Sequence, residues 1–270
     1  MRKNYFEENR EIHLYWFSGT GNTLFIVKEI KKLLEARNLA VKIFPIETTD
    51  PGKIDHKALQ GFVIPVAGQG TYPFLWRFFK ELPAAEGVPC FFVDTLAMYS
   101  GGILGPVKKI LKKKGFIPLG AKEIIMPFNF QQKRIPEEKN QKIITAGKQK
   151  IRKFIDLLIN HGEKWIDIPL YSDFLSIFFK YESMIKLWKK LLPYSIDPEK
   201  CTKCGICVRL CPVQSLMAAG RNAVPEQSDK CVLCHRCFSY CPSHAITIGN
   251  KNAQQYRAIE LPELLKELKK

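Results

Sequence analysis

Through roughly the first 160 residues, short runs of consecutive apolar residues alternate with stretches whose apolar positions recur at helical spacing. Runs that do not alternate with polar residues point to strands buried on both faces, as in a parallel sheet covered by crossover helices. Ile12–Phe17, Ala40–Ile46, Gly61–Val66, Val88–Asp94 and Lys122–Met126 read as five strands. Asn22–Arg37, Pro73–Glu81 and Gly101–Lys114 read as the helices between them. Pro136–Asn160 gives a last long helix, with Ile143, Ile144, Ile151, Phe154, Ile155 and Leu158 near helical spacing. The order predicts an α/β domain, a doubly wound parallel five-stranded sheet, over residues 1–162.

The pattern then changes twice. Residues 163–196 carry Trp165, Phe174, Phe178, Ile185 and Trp188 among scattered lysines. They read as a loop and an amphipathic helix packed between two domains; a helix lying on a membrane surface is the alternative. Residues 197–250 are rich in Cys, Pro and short turns and form a second, small α+β domain. Residues 251–270 end in a tail helix after Pro262. No apolar run reaches the roughly 18–20 residues that span a bilayer. Met1–Glu11 is charged and lacks a signal-peptide core, so a cytoplasmic location is expected.

In that compartment thiols stay reduced, so nine cysteines point to metal ligation rather than disulfides. Eight of the nine lie between Cys201 and Cys241, in two runs. Cys201, Cys204, Cys207 and Cys211 precede Pro212; Cys231, Cys234, Cys237 and Cys241 precede Pro242. Both runs have C-x2-C-x2-C-x3-C-P spacing, the pattern that holds cubane iron–sulfur clusters. Three close cysteines wrap a loop around one cube; the fourth is expected to open a short helix leading away, with Pro in its first turn. Structural zinc uses four ligands, usually as two separated pairs, and fits this spacing poorly. Cys90, alone in the fourth strand, reads as a small buried hydrophobe. His235 and Arg236 lie inside the second loop, where positive charge would favour a reduced cluster. They read more simply as ordinary loop residues.

After the first strand comes Ser18-Gly19-Thr20-Gly21-Asn22-Thr23, which opens the first helix. Free backbone N–H groups and a positive helix end make this an anion site. Ser18, Thr20, Asn22 and Thr23 add hydroxyl and amide donors. No Lys stands where a Walker loop has one, and Leu24 replaces the third glycine of a dinucleotide fingerprint. Asp94, at the expected end of the fourth strand, is a candidate catalytic acid or a loop or cap residue.

The loop resembles the phosphate loop of flavodoxins, and the cysteine runs are similar to those of bacterial-type two-cluster ferredoxins. With the Met126-Pro127-x-Asn129 stretch after the fifth strand, the chain resembles the fused flavodoxin–ferredoxin proteins of anaerobes over nearly its whole length except Glu163–Ser195. That resemblance implies FMN with its phosphate on Ser18, Gly19, Thr20, Gly21, Asn22 and Thr23. Gly68, Gly70, Tyr72, Thr95, Tyr99 and Gly101, on the loops after the third and fourth strands, would then lie near the ring. It also implies two 4Fe-4S clusters, one on Cys201, Cys204, Cys207 and Cys241, the other on Cys231, Cys234, Cys237 and Cys211. The function implied is electron transfer between FMN and the clusters, with no catalytic residue assigned. An FMN-dependent reductase of a small, quinone-like acceptor is the alternative.

The formal charge of +16, of which +12 lies outside residues 196–270, fits an acidic redox protein partner. A redox-sensing nucleic-acid binder shares only that charge, since no nucleic-acid-binding motif is present.

Overall fold

The structure is a computed structural model. It describes residues 5–8, 10–68, 70–98, 102–129, 135–160, 165, 181–220, 223–249 and 253–269, with the backbone alone at 181–184. A short helix α1 (Tyr5–Glu8) leads into β1 (Glu11–Trp16), α2 (Asn22–Glu35), β2 (Ala40–Pro45), β3 (Leu59–Pro65) and α3 (Pro73–Glu81). Then come β4 (Pro89–Leu96), α4 (Leu104–Lys113), β5 (Ile117–Ile125) and α5 (Glu137–Asn160). The five strands are parallel in the order β2-β1-β3-β4-β5, the flavodoxin-like arrangement whose direction reverses between β1 and β3.

Burial explains the order. All eight residues of β4 are buried, whereas β2, at one edge, alternates exposed and buried positions. On one face Leu24, Val27 and Ile30 of α2 and Ile151, Phe154 and Ile155 of α5 close a core over Leu14, Val63 and Phe91. On the other face α3 and α4 cover Tyr15, Phe62, Cys90 and Phe92. Each buried large apolar side chain contributes about 1.5–3 kcal/mol.

Two expectations need correction here. β5 begins at Ile117, five residues before Lys122, the residue at which it is expected to start. Pro118 and Gly120 disguise it; both are tolerated because β5 is an edge strand, with an irregularity opposite Cys90 and Phe91. β4 continues to Leu96, so Asp94 is neither a strand end nor a cap but a fully buried strand residue.

Past α5, helix α6 (Tyr181–Leu191) leads to β6 (Tyr194–Ile196), which pairs antiparallel with β9 (Ile246–Ile248). Between them lie α7 (Ile206–Leu210), the β7–β8 pair (Leu216–Met217 with Glu226–Gln227) and α8 (Arg236–Ser239). This small domain is embedded in the first. Leu210 and Tyr240 join the core under α2, while Val232, Leu233 and Cys234 join the core on the opposite face. The tail returns to the first domain through α9 (Leu261–Leu268), with Leu264 fully buried and Glu263 paired with Lys28 of α2. No helix among the described residues is long and apolar enough to cross a membrane.

Candidate cofactor cleft and cysteine cavities

The loops leaving the carboxyl ends of β1, β3, β4 and β5 enclose a cleft of about 460 Å³, within the roughly 300–1,000 Å³ of small-molecule sites. This is where an open parallel sheet places its ligand. β1 ends with Phe17 still bonded to the Val63 carbonyl. The chain then turns through Ser18–Thr20, and Gly21 takes φ +93° to cap α2. A side chain at Gly21 would also stand 2.8 Å from the Ile259 amide nitrogen. The amides of Gly19, Thr20, Asn22 and Thr23 donate to no group among the described residues. They remain available, with the positive end of α2, to an anion.

Of the residues expected around the flavin, Ser18, Gly19, Thr20, Asn22, Thr23, Gly68, Tyr72 and Thr95 line the cleft. Gly21 and Gly70 stand outside the lining; Gly70 closes a small turn through paired bonds with Ala67. Tyr99 and Gly101 lie outside the described residues, as does most of the segment 165–192 that bears on membrane contact. Two side chains named as phosphate donors are engaged elsewhere in this structure. The Asn22 amide donates to the Pro127 carbonyl at 2.8 Å and accepts from the Tyr256 hydroxyl at 2.8 Å. Thr23 and Thr95 share a hydroxyl bond of 2.8 Å that ties α2 to β4. Ser18 Oγ accepts from the Gly21 amide at 3.1 Å.

The walls are apolar, and no Asp, Glu, Lys or Arg lines the cleft among the described residues. Phe74 stacks on Tyr72, and Met98, 83% exposed, and Phe128 mark an open mouth. Asp94, one residue from Thr95, does not reach the cleft. Burial, helped by Glu123, holds its carboxyl well above the usual range against the pull of Lys150, and it accepts no hydrogen bond.

The eight clustered cysteines divide between two small cavities. Cys211, Cys231, Cys234 and Cys237 line one, beside Tyr194 and Ser215; Cys201, Cys204, Cys207 and Cys241 line the other. Each set takes three cysteines from one run and the fourth from the other. The loops share a backbone: left-handed residues occur at Lys203, Gly205 and Gln214 in the first and at Leu233, His235 and His244 in the second. Such turns aim successive N–H groups into a concavity suited to an anion. Sulfurs already accept bonds there. The Ser215 amide donates to Cys211 at 3.1 Å, the Leu233 amide to Cys231 at 3.4 Å and the Tyr194 hydroxyl to Cys237 at 3.0 Å. Burial pushes the thiols of Cys207 up to about 11 and of Cys234 up to about 12, so they become thiolates only when a cation binds. No group of three or more His, Cys, Asp or Glu among the described residues is placed to hold a single metal ion.

The expected helix after each fourth cysteine is not there. α7 and α8 contain the third cysteines, Cys207 and Cys237, and α7 ends at Cys211 in an extended conformation. The helix is set by the left-handed residue before it, Gly205 or His235, and the Pro that follows the fourth cysteine lies in a turn.

The cysteine loops also supply what sequence reasoning missed. Leu233 and His235, on either side of Cys234, line the same cleft as Ser18–Thr23. Trp188 and Leu192, at the end of α6, line it as well. A Cβ on Gly19 would sit 2.2 Å from the Cys234 carbonyl oxygen, so the two loops touch backbone to backbone. His235 is not the cation considered from sequence: burial pulls its pKa down to about 4 and leaves it neutral. Arg236 is no ordinary loop residue either. It is buried and lies 2.6 Å from the equally buried Glu47. Burial opposes its charge, and its neighbours, the Glu47 carboxylate first among them, together more than restore it.

A family profile described as the 4Fe-4S binding domain matches residues 194–217 and 225–247. No curated protein matches the chain. Among solved structures, the Streptococcus pneumoniae TIGR4 flavodoxin is 14% identical, with 55% of this chain and 97% of that one covered and a TM-score of 0.43. A short-chain flavodoxin associated with a PDU bacterial microcompartment is 16% identical, covering 55% and 96%, also at 0.43. Megasphaera elsdenii flavodoxin is 20% identical, covering 51% and 98%, at 0.37. At these scores the fold assignment rests on the strand order itself. The chain joins a flavodoxin-like α/β domain to a ferredoxin-type 4Fe-4S binding domain.

Proposed function

We propose that this is an iron–sulfur flavoprotein that carries electrons between FMN and two 4Fe-4S clusters. The observation that carries the reading is the shared wall: Leu233 and His235, flanking Cys234, line the cleft that the Ser18–Thr23 loop opens. FMN and the clusters, when bound, supply exchange between two-electron and one-electron carriers. The chain's own part is to hold them close and dry. Ser18–Thr23 present amides and hydroxyls to the phosphate, and Gly68, Tyr72 and Thr95 border the ring. Among the described residues no cationic side chain lines the phosphate site, so the attraction they offer comes from backbone dipoles.

Cys231, Cys234, Cys237 and Cys211 hold the cluster next to the flavin. Cys201, Cys204, Cys207 and Cys241 hold the outer one, where Cys204 is exposed. The outer loop is therefore the face for an external one-electron partner, which the charge of +16 suggests is acidic. Residues 1–162 form the flavin half, 163–196 join it to the cluster half at 197–250, and 251–270 fold back onto the first. Reduced thiols at both cavities suit the cytoplasm.

Anaerobic reconstitution should give one FMN and about eight irons per chain, as two four-iron clusters require. Clusters without FMN would refute the flavin half. The open mouth at Met98 and Phe128 favours a second reading, reduction of a small quinone-like acceptor at the flavin. Steady-state turnover of a quinone panel with reduced ferredoxin or NAD(P)H separates that enzyme from a pure carrier.

A further inference from the structure

We propose that Arg236, a residue of the cysteine loop, is a positioning residue for the flavin phosphate. This rests on the FMN reading above. Arg236 is 1% exposed, and its guanidinium reaches out of the small domain into the back of the phosphate loop. Its Nε and Nη2 donate to the Ser18 carbonyl oxygen at 3.0 and 2.7 Å, forming a fork on one acceptor. Its Nη1 donates to the Leu210 carbonyl at 3.2 Å, directly before Cys211. Glu47 supplies the counter-charge, and the Phe17 ring lies 4.7 Å from the guanidinium carbon.

The consequence follows from the planarity of the peptide. In a trans peptide the carbonyl oxygen of Ser18 and the N–H of Gly19 point in opposite directions. Fixing the oxygen on the Arg236 side therefore turns the Gly19 amide away from it, to the side of the cleft that Ser18 and Gly19 line. Without the fork, a fully buried carbonyl loses its donor. The peptide can then rotate to present oxygen, not N–H, to an incoming phosphate. One side chain thus links the orientation of the anion site to the loop that carries Cys234, Cys237 and, through Leu210, Cys211. Flavin affinity is set in part by the cysteine domain.

Lys at this position would keep the positive charge but could not fork one carbonyl while holding a second. The test uses the full chain with both clusters, confirmed by iron content, and titrates FMN and riboflavin by quenching of flavin fluorescence. Arg236→Lys should bind FMN at least tenfold more weakly and riboflavin, which lacks the phosphate, within twofold of wild type. Unchanged FMN affinity would overturn the proposal, as would an equal loss for both flavins, which would mean general damage to the cleft. Should Arg236→Lys lose iron, the double variant Arg236→Gln with Glu47→Gln removes both buried charges together and is judged on the same two results. A wild-type protein that binds neither flavin overturns the FMN reading, and this inference with it; wild-type binding that the variants match overturns this inference alone.

Discussion

Gly19→Ala tests the contact between the Ser18–Thr23 loop and the cysteine loop at Cys234 with a single methyl group. The added carbon would lie 2.2 Å from the Cys234 carbonyl oxygen and 3.3 Å from its carbon, both backbone atoms that no rotamer change can move aside. Reaching ordinary van der Waals separation needs the loops to part by more than about 1 Å. That shift stretches the Arg236 fork on Ser18, now at 2.7 and 3.0 Å, beyond hydrogen-bonding range. Forced overpacking costs about 1–3 kcal/mol, and hydrogen bonds to a charged group are each worth about 1.5–3 kcal/mol. Gly19 is absent from the residues with positive φ, so Ala is conformationally permitted and should gain about 0.4–1 kcal/mol through the unfolded chain. The contact outweighs that gain, and a net loss of at least about 3 kcal/mol is expected. Urea unfolding followed by tryptophan fluorescence reads the loss as a lower midpoint at unchanged slope. FMN titration of the same protein should show weaker binding. A midpoint equal to wild type or above it would show that the loops do not meet as described.

Asp94→Asn should flatten the dependence of stability on pH. The folded pKa of Asp94 is raised, so its burial costs nothing extra below about pH 4 and costs up to about 1.4 kcal/mol per pH unit above it until the folded pKa is reached. Wild type should therefore lose stability relative to the variant as pH rises above about 4; parallel profiles from thermal melts would refute this. Tyr194→Phe removes the 3.0 Å bond to Cys237, and the cluster potential should fall by about 40 mV, taking about 1 kcal/mol per hydrogen bond at 59 mV per tenfold. Redox titration followed by EPR measures it. Cys211→Ala should damage the cluster held by the second run and Cys241→Ala the one held by the first, each leaving about four irons. Damage confined to the mutated cysteine's own run would refute the exchange of fourth ligands.

What could be read in the sequence is what local pattern dictates. Strand and helix order followed from apolar periodicity, because a parallel sheet buried on both faces writes continuous apolar runs. The start of β5 did not, because Pro118 and Gly120 imitate a turn and are tolerated only through the bulged, edge position that tertiary pairing creates. The Ser18–Thr23 turn between β1 and α2 was legible, but the engagement of Asn22 with Pro127 and Tyr256 depends on residues distant in sequence. Arg236 was the hardest to judge. A cation in a loop is normally solvated, and its burial becomes intelligible only once Glu47, Ser18 and Leu210 are seen around it.

The two cysteine runs have one backbone and opposite surroundings, and the difference decides which cysteine cavity adjoins the cleft. Lys203 and Leu233 occupy equivalent left-handed positions, yet Lys203 is exposed while Leu233 is 6% exposed and lines the cleft. The next left-handed position repeats the contrast: open space surrounds Gly205, and His235 lines the cleft. Repeat geometry alone would let either loop dock, so the side chains at these positions select the second. Exchanging them tests this directly. Leu233→Lys forfeits about 1.5–3 kcal/mol of burial and brings an ammonium against the first domain, so the urea midpoint should fall and FMN affinity with it. Lys203→Leu changes an exposed residue at the rim of the first-run cysteine cavity, outside the cleft, and should stay within about 0.5 kcal/mol of wild type. Comparable effects of the two substitutions would mean that docking is set elsewhere, and the assignment of an inner and an outer cluster would fall with it.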